Sequence, residues 1–141
     1  MAAFVDTNIL IYAFAGSAGG AADKVIAART LLSFLAEREE MVLSAQVLSE
    51  FAANAMRKGN PPPSLANVTE RVQELSEGPV IAIDASLVQL ALTRVQTSRI
   101  SYWDALIVEA AIRSGATILY TEDMHHGTRY GALELRNPFL T

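Results

Sequence analysis

Four carboxylates in this chain, Asp6, Glu50, Asp104 and Asp123, follow apolar runs or open helical ones, the places where a folded domain can gather charge in a cleft. Asp6 closes the run Ala3-Phe4-Val5, and Asp123 follows Thr117-Ile118-Leu119-Tyr120 by way of Thr121-Glu122. Glu50 lies in the second turn of the helix that Ser44 can cap, and Asp104 sits at the start of the helix opened by Ser101. Three of the four are thereby tied to the exits of three different strands and can meet at one edge of a sheet. Carboxylates gathered within a few ångströms repel and raise one another's pKa unless a cation neutralises them. An all-oxygen cluster in a chain without a single Cys selects a hard ion, Mg²⁺ or Mn²⁺, before zinc.

Taken singly, each acid has an ordinary explanation. Asp6 can end a strand and cap a helix. Glu50 is one residue off the Val47–Phe51 stripe and can be an exposed helical glutamate near Asn54 or Arg57. Ser101-Tyr102-Trp103-Asp104 has the spacing of a capping box, though its usual fourth member is Glu or Gln. The shorter Asp reaches back less well, which leaves its carboxylate free to face a cleft. Glu122-Asp123 can be a polar turn into the loop His125-His126-Gly127, where a histidine can touch phosphate or assist a leaving group, or have no special role.

The elements that would position these residues alternate in type. Short strands are expected at Ala3–Val5, Met41–Leu43, Val80–Ile83 and Thr117–Tyr120, with a last edge strand at Ala132–Arg136 before Asn137-Pro138. Helices are expected after Asn8, from about Asp23 to Arg38, from Ser44 to the break at Pro61-Pro62-Pro63, and from Ser64 to about Ser76. Two more follow, from Asp84 to about Thr97 and from Ser101 to a left-handed cap at Gly115. This order predicts an α/β fold, a three-layer α/β/α sandwich around a mainly parallel sheet, whose ligands gather at the carboxyl ends of the strands.

The chain's 141 residues fit one domain spanning residues 1–141 with a core that needs no disulfide. The absence of Cys excludes zinc-thiolate sites, iron–sulfur clusters and thiol catalysis. Mean hydropathy is +0.26, yet no stretch approaches the roughly 18 apolar residues of a spanning helix, and the first basic residue is Lys24, too late for a secretory signal. A cytoplasmic protein without membrane contact is the expectation. A net charge of −4 argues against broad adhesion to nucleic acid, but a nuclease with a carboxylate centre lowers its own charge. The cations Arg57-Lys58, Arg94, Arg99, Arg113 and Arg129 are too scattered to form a basic rim without folding.

Assembled in order, Val5-Asp6-Thr7-Asn8-Ile9-Leu10, Ser49-Glu50-Phe51, Ser101-Tyr102-Trp103-Asp104-Ala105-Leu106-Ile107 and Leu119-Tyr120-Thr121-Glu122-Asp123-Met124 resemble the PIN-domain ribonucleases. Within them, the chain is similar end to end to the toxins of VapBC-type toxin–antitoxin pairs. The resemblance implies an endoribonuclease with one or two Mg²⁺ ions, replaceable by Mn²⁺, on Asp6, Glu50, Asp104 and Asp123. It implies that Thr7, Asn8 and Thr121 orient those acids or contact phosphate. A metal-activated water would attack the phosphodiester in line, leaving a 5′-phosphate and a 3′-hydroxyl. The implied partners are RNA, a second copy of the chain in a homodimer, and a small VapB-like antitoxin laid across the site. Tyr102 and Trp103 can stack on a base, or pack in a core or interface.

Two other readings compete. A haloacid-dehalogenase-like phosphatase needs a second Asp two residues after the first, where this chain has Asn8, and a receiver domain needs a late lysine, whereas the last is Lys58. A non-catalytic PIN-like module that binds protein or RNA, or a housekeeping PIN nuclease without an antitoxin, is the alternative.

Overall fold

The computed structural model describes residues 1–140. Strand β1 (Ala3–Val5) leads into helix α1 (Thr7–Ala15) and, after a 3₁₀ turn at Gly16–Ala18, α2 (Ala22–Glu37). Strand β2 (Met41–Ser44) precedes α3 (Ala45–Ala55) and α4 (Leu65–Leu75), and β3 (Val80–Ile81) precedes α5 (Ala85–Ser98) and α6 (Tyr102–Arg113). The chain closes with β4 (Ile118–Tyr120), β5 (Arg129–Tyr130) and β6 (Leu133–Arg136). No helix is long and apolar enough to cross a membrane among the described residues.

The strands form one sheet in the order β3-β2-β1-β4-β6-β5, parallel throughout except for the antiparallel β5–β6 pair. From β1 the chain steps through β2 to β3 on one side, then returns past β1 to add β4 on the other. Because parallel crossovers are right-handed, the outward steps carry α1 to α4 on one face and the return carries α5 and α6 on the opposite face. The expected α/β three-layer arrangement follows. The reversal of strand order between β1 and β4 also opens a crevice at their carboxyl ends.

The core is one cluster built from Phe4, Leu43, Phe51, Leu106 and Leu119, each at most 2% exposed, with smaller side chains between them. Fully burying each of these large residues contributes on the order of 2 kcal/mol. Helix α6 is enclosed from Ala105 to Ala111 without a break, so the charge of Glu109 within that run requires a partner. Arg94 on α5 supplies it, with Nε 2.8 Å from Glu109 Oε2.

Two strand expectations are corrected. The segment Val80–Ile83 pairs only over Val80 and Ile81, since its partner β2 ends at Ser44, opposite Ile81. Beyond that point Ile83 is exposed. The terminal strand is not an edge: β6 pairs with β4 on one side and with β5 on the other. Strand β5, two residues long and preceded by Gly127 at φ +89°, carries too little apolar pattern to stand out in the sequence.

Candidate functional site

Asp6 is the first residue beyond β1, and the register Val5 opposite Tyr120 sets it beside Thr121, the first residue beyond β4. Its backbone N–H donates to the Tyr120 carbonyl at 3.0 Å. The carboxylate caps α1 by accepting from Thr7 N–H at 2.7 Å on Oδ1, and accepts from Thr121 Oγ1 at 2.8 Å on Oδ2. Only 7% of the residue is exposed. Burial lifts its pKa to about 6 against these two hydrogen bonds, with further upward pushes from Asp123 and Glu50.

On α3, the apolar face of Val47, Phe51 and Ala55 is buried, and its edge carries Gln46, Glu50 and Asn54, four residues apart in turn. Ser44 caps this helix by accepting from Val47 N–H at 3.3 Å. At the start of α6, Ser101 Oγ accepts from Asp104 N–H at 3.1 Å. Among the described residues, Asp104 returns no hydrogen bond to Ser101, so half of the capping box is present and the carboxylate stays free.

All four acids line one cavity of about 70 Å³, together with Thr7, Asn8, Gln46, Asn54, Trp103 and Ile107. The sequence-nominated Thr121 joins them through Asp6. The acids also sense one another electrostatically: Glu50 and Asp123 act on Asp6, while Asp123 is raised by burial first, then by Glu122 and Asp104. Asn8 Nδ2 holds Asp123 through contacts of 3.2 and 3.1 Å to its two oxygens.

One acid in this region was not singled out by its sequence position. Glu122 accepts from Lys24 Nζ at 2.8 Å, from Asn8 Nδ2 at 3.2 Å and from the Tyr12 hydroxyl. Burial opposes its charge, but these donors outweigh it and hold the carboxyl below its ordinary range. The sequence signal for Glu122 was only adjacency to Asp123; Lys24, 98 residues away, gave none. Gln46 and Asn54 were missed as wall residues; the four-residue spacing Gln46-Glu50-Asn54 on α3 is the signal that could have found them.

Other nominated residues fall elsewhere. Arg94, Arg113 and Arg129 pair with Glu109, Asp84 and Glu134, whereas Arg57 donates to Asn54 of the cavity wall at 2.8 Å. His126 Nδ1 accepts from Asn137 N–H at 2.9 Å, a tie between loop and tail.

The donor set fits a hard cation in kind. Asp6, Glu50, Asp104 and Asp123 make no ion pair among the described residues. Thr7 and Gln46 of the cavity wall each carry a buried side-chain oxygen, Oγ1 and Oε1, without a hydrogen-bond partner among the described residues. The side chains stand around the cavity without contracting on one point: no three His, Asp or Glu groups among the described residues already form a cage that could hold an ion.

The PIN domain family profile matches residues 3–127. This chain belongs to the PIN domain family. Its fold is similar to that of the VapC20 toxin of Mycobacterium tuberculosis, described as cleaving the sarcin–ricin loop. The two share 22% identity at a TM-score of 0.66, covering 86% of this chain and 90% of that one. It is equally similar to a chain of the VapBC2 complex of Rickettsia felis bound to a promoter DNA fragment. There the identity is 22% and the TM-score 0.66, over 97% and 98% of the two chains. A search of curated proteins gives no significant match. The matched PIN region contains all four cavity acids.

Proposed function

We propose that this PIN domain is a metal-dependent endoribonuclease and the toxin of a type II toxin–antitoxin pair. The observation that carries the reading is the common cavity of Asp6, Glu50, Asp104 and Asp123 at the crevice between β1 and β4. Asp6, Glu50, Asp104 and Asp123 would hold one or two Mg²⁺ ions, or Mn²⁺ in their place. When bound, such an ion lowers the pKa of a coordinated water and offsets charge on the phosphoryl oxygens. The chain's own contribution is placement. Thr7 N–H and Thr121 fix the Asp6 carboxylate, Asn8 orients Asp123, and the Asp104 carboxylate is left free by its incomplete capping box. Thr7 and Gln46, whose buried side-chain oxygens have no hydrogen-bond partner among the described residues, complete the polar wall around the acids.

Similarity to VapC20 and to the VapBC2 complex supports RNA as substrate and a VapB-like antitoxin as partner. A cavity of uncompensated acids in a chain of charge −4 favours a partner that inserts a basic side chain there, and the proposed assembly is a homodimer in the cytoplasm. Purified protein should cleave RNA with Mg²⁺ or Mn²⁺ and not with EDTA. Asp104→Asn should remove cleavage and growth inhibition while the thermal midpoint stays within a few degrees. Wild type that cuts no RNA, with growth inhibition unchanged by acid substitutions, would instead leave a binding module.

A further inference from the structure

Trp103 is the chain's only tryptophan and is 64% exposed, although the helix it opens is otherwise enclosed from Ala105 to Ala111. Exposure of one apolar side chain is common and decides nothing alone. Position does: Trp103 forms part of the wall of the acid cavity and immediately precedes Asp104. Its surroundings also hold it in place. The Trp103 carbonyl accepts from Gln46 Nε2 at 3.2 Å, Ser101 caps its turn, and its ring meets Tyr102 edge to face, with centroids 5.2 Å apart at 74°.

Among the described residues that wall contains no Lys or Arg. A polynucleotide reaching the acids therefore finds no cation to pair with a phosphate in the wall itself, and the exposed Trp103 indole is the one aromatic ring among the wall residues on which a base can stack. Aromatic stacking is available only to an unpaired nucleobase, because bases in an A-form duplex are stacked on one another and its major groove is too narrow for side chains. We infer that Trp103 is a stacking platform for an unpaired nucleobase beside the phosphodiester presented to the acid cavity, so that this one indole carries much of the discrimination between unpaired and duplex RNA. This rests on the nuclease reading for the identity of the neighbouring phosphate, but binding tests it separately from cleavage.

The lone tryptophan gives a direct signal. A mixed-sequence 12-nucleotide RNA, the same strand annealed to its complement, and a hairpin with an unpaired loop are titrated against the protein in Ca²⁺ buffer, with Trp103 fluorescence and filter binding read together. The single strand and the hairpin should quench the indole, and the blunt duplex should not. Trp103→Ala should weaken single-strand binding by roughly tenfold, the scale of losing one base stack. Trp103→Phe should restore most of the affinity, with both variants melting near wild type. In Mg²⁺, Trp103→Ala should raise KM far more than it lowers kcat. Equal affinity of Trp103→Ala and wild type, no binding of RNA, unquenched fluorescence at saturating RNA, or equal quenching by duplex would overturn the inference. So would a fluorescence change that follows protein concentration alone, which would make Trp103 an interface between copies. Quenching without cleavage in Mg²⁺ or Mn²⁺ would leave the platform standing and remove the nuclease reading; cleavage unaffected by Trp103→Ala would do the reverse.

Discussion

Asp6 caps α1 and ties β1 to β4, yet its charge opposes folding because burial outweighs its two hydrogen bonds. The folded-state pKa, about 6, lies above the ordinary 3.8, so between those values the folded chain retains a proton that the unfolded chain releases. Stability is therefore highest below about pH 4 as far as Asp6 is concerned, and falls as pH rises through 6. The full displacement corresponds to roughly 3 kcal/mol at most. Asp6→Asn keeps a capping oxygen and a partner for Thr121. In EDTA it should exceed wild type by about 1–3 kcal/mol at pH 7.5 and match it at pH 4, measured by urea unfolding. Glu122 leads to a second expectation. Removing it in Glu122→Ala frees Asn8 from one anchor and leaves Lys24 unpaired beside the acids. Mn²⁺ affinity by calorimetry and cleavage should both drop by about ten- to a hundredfold, the usual effect of losing a group that orients a metal ligand. Glu122→Gln, which can still accept from Asn8 and Tyr12, should lose less. The four acids were legible because strand exits and helix starts are marked locally. Glu122 was not, since its meaning lies in a tyrosine from α1 and a lysine from α2 that no local spacing connects.

Helix starts marked by a capping residue were read within a residue, since Ser44, Ser64, Asp84 and Ser101 each cap the helix expected to follow, although α3 ends at Ala55, short of the proline break. The failures are elements whose existence depends on a neighbour. Strand β3 stops where β2 stops, and β5 exists because β6 offers it a free edge, so neither boundary is encoded by its own residues. The Arg94–Glu109 pair belongs to the same category, since nothing in the Ala105–Ala111 run announces that a buried glutamate there faces a cation on α5. Arg94 also lies over the Tyr130 ring, 4.9 Å from its centroid, linking the helix pair to β5. Arg94→Met leaves the nearly buried Glu109 carboxylate unpaired and should cost about 2–4 kcal/mol in denaturant unfolding, below the full buried-pair figure because Arg94 is partly exposed. Adding Glu109→Leu to that variant should recover much of the loss. If the double variant is no more stable than the single, packing against Tyr130 rather than the uncompensated charge sets the cost.

At the scale of the whole molecule, the sheet order forces mutually repelling acids into one crevice, and a fold that tolerates this should respond to whatever neutralises them. A dication bound only by the native chain adds RT ln(1 + [L]/Kd) to stability, about 2.7 kcal/mol at a hundredfold excess over Kd. For a chain of this length that is a rise in Tm of roughly 5–15 °C. Wild-type protein melted with increasing Mn²⁺ should show such a rise, reversed by EDTA, whereas monovalent salt at matched ionic strength should give only the small gain expected from screening. Glu50→Gln combined with Asp104→Asn should abolish the Mn²⁺ response while raising the metal-free Tm slightly, because two like charges leave the cavity. The two halves of that result answer different questions. A raised metal-free Tm tests whether the acids repel in the folded chain, and a lost Mn²⁺ response tests whether they act together on a cation. A wild-type Tm that ignores Mn²⁺, together with a raised metal-free Tm in the double variant, would mean the acids do strain the fold but serve a basic protein side chain instead of a metal.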